Sequence, residues 1–158
     1  MKKKGHRKMD DPQSLADIII HRVLMLIRSQ HRSSTMIKEQ VQITGRQVAV
    51  LRYLDSNGPS TVTEVARFLY VREATASTML DRMEQGGYVT RTRSKDDNRK
   101  VIINPTPLGH EISIRAPLGT IAKLREKLPK QSEEDLAAIS SALDMVLRLC
   151  DIDESLLD

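Results

Sequence analysis

The chain of 158 residues has no tryptophan, and three tyrosines and one phenylalanine are its only aromatic residues. So few rings favour an aliphatic, helical interior over an aromatic one. A single cysteine, Cys150, excludes an internal disulfide and is typical of a reducing compartment. The chain also lacks any apolar run near the roughly 20 residues that a membrane-spanning helix needs, so no membrane partner is expected.

The start of the chain differs in character from the rest. The first residues are rich in lysine and arginine with no secretory apolar region after them, so residues 1–11 are predicted to be a disordered basic tail. The remaining residues, 12–158, suffice for a single domain with a buried core. We therefore expect a cytoplasmic protein.

Positive charge is concentrated outside the C-terminal segment. Residues 132–158 carry eight acidic residues and one basic residue, whereas the rest of the chain has 24 basic and 13 acidic residues. The two parts therefore carry −7 and +11, which together give the net charge of +4. This asymmetry indicates one face that meets a polyanion and another that avoids it, with an ordinary mixed-charge surface as the alternative.

Apolar residues at helical spacing predict a chain made mainly of α-helices. A helix is expected over about residues 14–32 and a second, short helix over 36–41. Two capping boxes, Thr44 to Gln47 and Thr61 to Glu64, predict the starts of further helices.

The C-terminal third is also predicted to be helical. Thr106-Pro107 has the form of a helix start, Pro117 should kink or break that helix, and Ser132 should cap the last one. The helices at about 14–32 and 106–150 carry more apolar surface than a small core can cover. We predict that they form the base of a homodimer, and the alternative is that they fold over their own domain.

Residues 72–104 carry the strongest functional signal. A helical segment over 72–85 is followed by two glycines and then by two basic strands, 88–94 and 99–104. One face of the helical segment is apolar, and the opposite face carries hydroxyl groups and an arginine, which suit base edges and phosphates.

The helix that begins at Thr61 and the helix over 72–85 form a helix-turn-helix, whose second member enters the major groove. We predict a winged helix-turn-helix over about residues 44–105, in a fold that is mainly α with a small β-hairpin wing. Taken alone, the hydroxyl residues would fit any exposed helix face. The helix-turn-helix and the basic hairpin beside it favour DNA reading.

The hairpin supplies further candidates for DNA contact. Arg91 and Arg93 are two residues apart and should project from one face of their strand. Arg99 is placed to enter a narrow minor groove, where negative potential is concentrated, and Asp97 is placed to orient its guanidinium group. A solvated charged turn explains any one of these residues but not the set.

The motif residues of this region resemble those of the MarR family of bacterial winged-helix regulators. The similar run is Leu69-x5-Thr75-Ala-Ser77-x4-Arg82-Met-Glu-x-Gly-Gly-Tyr-Val-x-Arg91, followed by Asp97-Asn-Arg99-x6-Thr106-x2-Gly109. The resemblance covers roughly residues 14–150 and implies an obligate dimer with its terminal helices as the base. It also implies major-groove reading by helix 72–85, minor-groove insertion of Arg99, and a cleft between base and DNA-binding lobe where small ligands weaken DNA binding.

This chain departs from the family pattern in four places. Asn98 replaces the first of the usual two wing arginines, and Pro105 replaces a common leucine. The recognition helix begins with Arg72-Glu73 where small capping residues are frequent, and Thr78 replaces a frequent arginine. Base specificity therefore does not carry over from relatives.

Together these features predict a DNA-binding transcriptional regulator, most often a repressor in such systems, that binds a pseudo-palindromic operator. The residues predicted to face the major groove are Arg72, Glu73, Thr75, Ser77 and Thr78, with Arg82 on phosphate. The residues predicted to meet the backbone or minor groove are Arg46, Thr61, Arg93, Lys95 and Arg99, with Asp97 orienting Arg99. The alternatives are a winged-helix protein-interaction module without DNA binding, and a ligand-insensitive regulator or an activator.

No enzyme, cofactor or metal site is expected. Cys150 lies in an apolar helical seam with no activating partner nearby in sequence, so a buried, inert thiol is expected. The four histidines have no metal-ligand spacing, although a regulatory contact through His21, His31 or His110 stays open.

Overall fold

The computed structural model describes residues 12–94 and 100–153. The helices are α1 Pro12–Val41, α2 Gly45–Asn57, α3 Val62–Leu69, α4 Glu73–Gln85, α5 Pro107–Arg115, α6 Thr120–Lys127 and α7 Glu133–Leu149. The strands are β1 Ser60–Thr61, β2 Val89–Arg93 and β3 Val101–Pro105, and a 3-10 turn, Leu128–Lys130, follows α6. The architecture is the predicted one, mainly α with a small β wing. The predicted tail, residues 1–11, lies outside the described residues.

The first helix runs without interruption from Pro12 to Val41, so the expected separate helix over 36–41 is wrong. Its last turns stay helical with Ile37 and Val41 buried in the core, and two hydroxyl residues before them have partners within the fold. The Thr35 hydroxyl donates to the His31 carbonyl at 3.2 Å, one turn back along the same helix. The Ser33 hydroxyl lies 3.1 Å from that of Thr120 on α6.

A buried core joins α2, α3, α4, α5 and the sheet into one unit, which we call the lobe. Its fully buried large side chains are Val48, Val50, Leu51, Leu54, Val65, Leu80, Met83, Val89 and Ile103. Both predicted capping boxes are confirmed, with the Thr44 and Thr61 hydroxyls accepting from the backbone N–H groups of Gln47 and Glu64. The α2 helix ends before Gly58, whose φ of 82° is one that glycine adopts readily.

The sheet has three antiparallel strands in the order β1-β3-β2. The hairpin of β2 and β3 was predicted, whereas the pairing of Ser60 with Ile103 was not. A two-residue strand leaves no alternating pattern in the sequence, so β1 is recognisable only from its partner. β1 ties the start of α3 to the wing.

The remaining helices, α1, α6 and α7, are called the base. As predicted, Thr106 caps α5, Pro117 follows the end of that helix, and Ser132 caps α7. None of the residues of α7 is buried, and its apolar side chains include the exposed Ile139, Leu143 and Leu147. The base therefore leaves much of its apolar surface uncovered by its own chain. No helix within the described ranges is long and apolar enough to cross a membrane.

Candidate nucleic-acid interface

The helix-turn-helix consists of α3, a three-residue link and α4. Glu64 accepts from the Thr61 N–H at 2.7 Å and from the Thr61 hydroxyl at 2.9 Å. These two hydrogen bonds hold the pKa of Glu64 below its usual range, and the one from the backbone N–H has the larger effect. At the other end of α3, Tyr70 adopts a left-handed conformation with φ 55° and ψ 50°, which turns the chain toward α4.

The two faces of α4 differ as predicted. Ala76, Leu80 and Met83 are 0% exposed and pack into the core of the lobe. Thr75, Thr78 and Arg82 are exposed on the opposite side, and Ser77 is half-buried at the border. The buried face fixes the helix on the lobe and leaves its hydroxyl groups and one guanidinium group toward solvent.

A groove of about 390 Å³ runs between the start of α2 and the exposed face of α4. Its lining residues are Thr44, Arg46, Gln47, Thr75, Thr78, Met79 and Arg82. The structure thus brings together four predicted contact residues from two helices, Arg46 with Thr75, Thr78 and Arg82. The Thr78 hydroxyl donates to the Ala74 carbonyl at 3.0 Å, so its oxygen is left as an acceptor.

The other predicted contact residues lie outside the lining of this groove. Arg72 is the N-cap of α4 and Glu73 its first residue, where the helix dipole favours a negative charge. Thr61 uses its hydroxyl in the cap of α3, and the exposed Arg93 ends β2. Lys95, Asp97 and Arg99 lie outside the described residues.

Arg91 connects the wing to α4. It is half-buried, whereas Arg93, two residues further along β2, is exposed. Its guanidinium group lies 2.7 Å from an Asp81 carboxylate oxygen and donates to the Ser77 carbonyl at 3.1 Å. Its backbone N–H donates to Glu84 at 3.1 Å. The only signal for this arrangement in the sequence is the pair of acidic residues at 81 and 84, three apart on one helix. β2 is therefore attached to the recognition helix through one arginine.

The Thr106-x2-Gly109 motif joins α5 to the base of the wing. The Thr106 hydroxyl donates to the Gly87 carbonyl at 2.6 Å and accepts from the Gly109 N–H at 3.1 Å. A Cβ atom at Gly109 would collide with the Tyr88 carbonyl, so only glycine allows this close approach. The motif thus has a structural reason that does not involve DNA.

A polar cluster between α2 and α5 was missed in the sequence. Asp55 lies 3.0 Å from the His110 ring and accepts from the Ser113 hydroxyl. Arg52 donates to the Ser113 and Ala116 carbonyls at 3.0 and 2.5 Å, where burial lowers the pKa of its guanidinium group. Among the described residues, no three His, Cys, Asp or Glu side chains are placed to hold a metal ion. The cluster holds the end of α5 against α2.

Cys150 is exposed just after the end of α7. The expectation of a buried thiol is therefore wrong for the chain by itself, because nothing in its own fold covers the seam of α7.

A helix-turn-helix with an exposed polar face on its second helix, beside an attached β wing, defines a winged-helix DNA-binding regulator. Residues 43–101 match the model of the MarR family. The organic hydroperoxide resistance transcriptional regulator of Bacillus subtilis (strain 168) is 38% identical over 112 residues, which are 69% of this chain and 73% of that protein. The chain belongs to the MarR family.

Solved structures share the fold. YusO from Bacillus subtilis has a TM-score of 0.59 at 22% identity, covering 90% of this chain and 99% of that one. The reduced form of MarR from E. coli has a TM-score of 0.56 at 26% identity, covering 80% and 94%. Family membership makes the protein a DNA-binding transcriptional regulator and not an enzyme. It also decides against the alternative of a protein-interaction module without DNA binding.

Proposed function

We propose that two copies of this chain form a homodimer that binds a pseudo-palindromic operator and represses transcription until an effector enters the cleft between base and lobe. The observation that carries the proposal is the groove in which Arg46 and Arg82 accompany the hydroxyl groups of Thr75 and Thr78. Two guanidinium groups suit phosphates, and threonine hydroxyl and methyl groups suit base edges.

The uncovered base supports the homodimer. Helices in proteins owe most of their stability to the packing of an apolar face, yet α7, with 17 residues, buries none of them against its own chain. Exposed apolar residues on α1, such as Ile20 and Ile27 at 57% and 60%, offer a matching surface. A twofold dimer would place two α4 helices one DNA turn apart, about 34–36 Å.

The roles proposed for the individual residues follow from their positions. Thr75 and Thr78, with Arg72, Glu73 and Ser77 beside them, would read the major groove, while Arg46 and Arg82 would contact phosphates on either side. The start of α3 at Thr61 would add a further phosphate contact. Arg93 and Lys95 would track the backbone, and Arg99, held by Asp97, would enter the minor groove.

A second groove supports a small effector. It measures about 220 Å³ and is lined by His31, Ser34, Thr35 and Lys38 of α1 and by Thr44 at the start of α2. It therefore lies where the base meets the lobe, and its hydroxyl and basic side chains suit a small anion. An anion bound there would change how α1 meets α2.

The first test is selection of genomic fragments by the purified protein at two salt concentrations. We expect a palindromic site whose affinity falls steeply with salt through counterion release. Arg46→Ala should lower the slope of log affinity against log salt by about 1, as one lost phosphate contact does. Arg115→Ala, which removes an exposed arginine paired with Glu111 outside the groove, is the matched control. Equal slopes for both variants would remove Arg46 from the interface.

Base reading is tested by Thr75→Ala on operator variants with one altered base pair. The variant should change the ranking of these sites, because a threonine that contacts a base carries sequence information. Uniform weakening on every site would assign Thr75 a positioning role. Arg99→Ala should weaken the operator complex by roughly 1–3 kcal/mol without altering dimerisation.

The effector response is tested by adding straight-chain carboxylates, from acetate to hexanoate, to the complex of protein and operator and measuring release of the DNA. Release of the wild-type protein, but not of Lys38→Ala, would support the groove as the effector site. A separate arm treats the complex with tert-butyl hydroperoxide and uses Cys150→Ser as control, because thiols oxidise readily and a relative is named for hydroperoxide resistance. If the DNA is released in neither arm, a ligand-insensitive regulator is favoured. If the protein activates a reporter gene placed behind the operator, repression is excluded.

A further inference from the structure

Two aromatic rings lie beside one arginine of the base, and a third ring stacks on one of them. The Arg125 guanidinium carbon lies 3.9 Å from the centroid of the Phe68 ring and 5.7 Å from that of Tyr70. The Phe68 ring stacks on Tyr53 with centroids 4.4 Å apart. Such distances allow a cation–π interaction, which is strongest where water is partly excluded. The half-buried Arg125 therefore holds a specific place on the lobe.

Arg125 also makes a hydrogen bond at the end of α3. Its guanidinium group donates to the Phe68 carbonyl at 2.7 Å. The last carbonyls of a helix lack partners within the helix, and the helix dipole favours a cation beside them. Arg125, from α6, therefore caps the first helix of the helix-turn-helix.

The capped end of α3 leads directly into the link that sets the direction of α4. Tyr70 takes the left-handed conformation, which residues other than glycine rarely adopt. The Val71 N–H donates to the Ala66 carbonyl at 3.1 Å, which closes the turn. Phe68 and Tyr70, the two side chains that Arg125 faces, thus flank the point where α3 ends and the link begins.

The other end of α6 is attached to α1. The Thr120 hydroxyl lies 2.9 Å from that of Ser29 and 3.1 Å from that of Ser33. One short helix thus connects the long helix of the base to the turn before the recognition helix.

We infer that Arg125 is a positioning residue for operator recognition, which fixes the angle between α4 and α1 and so the separation of the two recognition helices. The inference rests on the proposed homodimer and operator. Arg125 itself touches no DNA and acts through Phe68 and the link at Tyr70. Its effect should therefore appear in the preferred spacing of half-sites and not in the salt dependence of binding.

The experiment measures the affinity of the full chain for the selected operator and for duplexes whose half-sites are one or two base pairs closer or farther apart. Arg125→Gln removes the charge and the stacking. Arg125→Lys keeps the charge and can still donate to the Phe68 carbonyl, but it lacks the planar group that stacks on the ring. Lys123→Gln removes a charge from an exposed position on the same helix and is the control.

Arg125→Gln should lose about tenfold in affinity at the natural spacing and bind the altered spacings nearly as well, with dimerisation and salt slope unchanged. Arg125→Lys should restore part of the spacing preference, and Lys123→Gln should match the wild-type protein. Full spacing preference in Arg125→Gln would overturn the inference and leave the proposed function intact. Equal weakening on every duplex, with lower thermal stability, would overturn it too by making Arg125 merely structural. A wild-type protein that retains no DNA would overturn the proposed function itself.

Discussion

The lobe and the base contain similar aliphatic residues, but the lobe buries them and the base leaves them exposed. In the lobe, Leu51 and Leu80 are 0% exposed within a core that the chain completes by itself. In the base, Leu143 and Ile20 are 53% and 57% exposed. The lobe is therefore stabilised within one chain, whereas the base needs surface from elsewhere, which the proposed homodimer supplies.

The largest effect is expected from a charge placed in the base. Leu143→Glu should weaken the dimer by about 3–5 kcal/mol, the effect of leaving a buried charge uncompensated. Ser141→Glu puts the same charge on the polar side of α7 and should leave the dimer intact. Sedimentation over a range of concentrations measures both. Unchanged association of Leu143→Glu would contradict the assignment of the base to dimerisation.

A cavity in the lobe should act independently of association. Leu51→Ala is expected to lower the free energy of unfolding by about 2–5 kcal/mol, because it deletes a fully buried side chain from a packed core. Urea unfolding at two protein concentrations should give the same loss at both. Leu143→Ala, in the base, should instead show a loss that depends on concentration.

The attachment of the wing should contribute less to the stability of the lobe than the packing of its core. Arg91→Ala removes one charged hydrogen bond to the Ser77 carbonyl and a partly exposed ion pair with Asp81, so the lobe should lose about 1–2 kcal/mol. Hydrogen exchange should show the loss concentrated at β2 and β3. Arg115→Ala, which breaks only an exposed pair within α5, should change stability by under about 0.5 kcal/mol. Equal effects of the two variants would show that Arg91 is not a structural link.

The smallest effect is a pH dependence that distinguishes the two capping boxes. The lowered pKa of Glu64 means that its carboxylate stabilises the folded lobe above the unfolded pKa of about 4.3. That stabilisation is lost as the pH falls through the folded pKa. The stability difference between wild-type and Glu64→Gln should therefore shrink below about pH 4. The box of α2 uses the uncharged Gln47, so Gln47→Glu should gain such a dependence.

Several features of the fold and site were predictable because they depend on residues only a few positions apart in the sequence. The caps at Thr44, Thr61 and Thr106 and the two faces of α4 were predicted because each depends on spacing within one turn or one helix. The break after α5 followed from the rigid ring of Pro117 in the same way. The continuity of α1 was missed because Ile37 and Val41, in its last turns, are buried by core residues that lie as far along the chain as Ile112 and Ala116.

By itself, the sequence determined the helix order, the polar face of the recognition helix and the excess of apolar surface at both ends. Only the tertiary structure decided that Arg91 turns inward to Asp81, that Arg52 holds the end of α5, and that Arg125 caps α3. Arg125 and Phe68 are 57 residues apart, and Arg52 and Ser113 are 61 apart. Local patterns follow from a helix's own period, but such contacts exist only after several helices have packed, because packing alone sets which distant side chains meet.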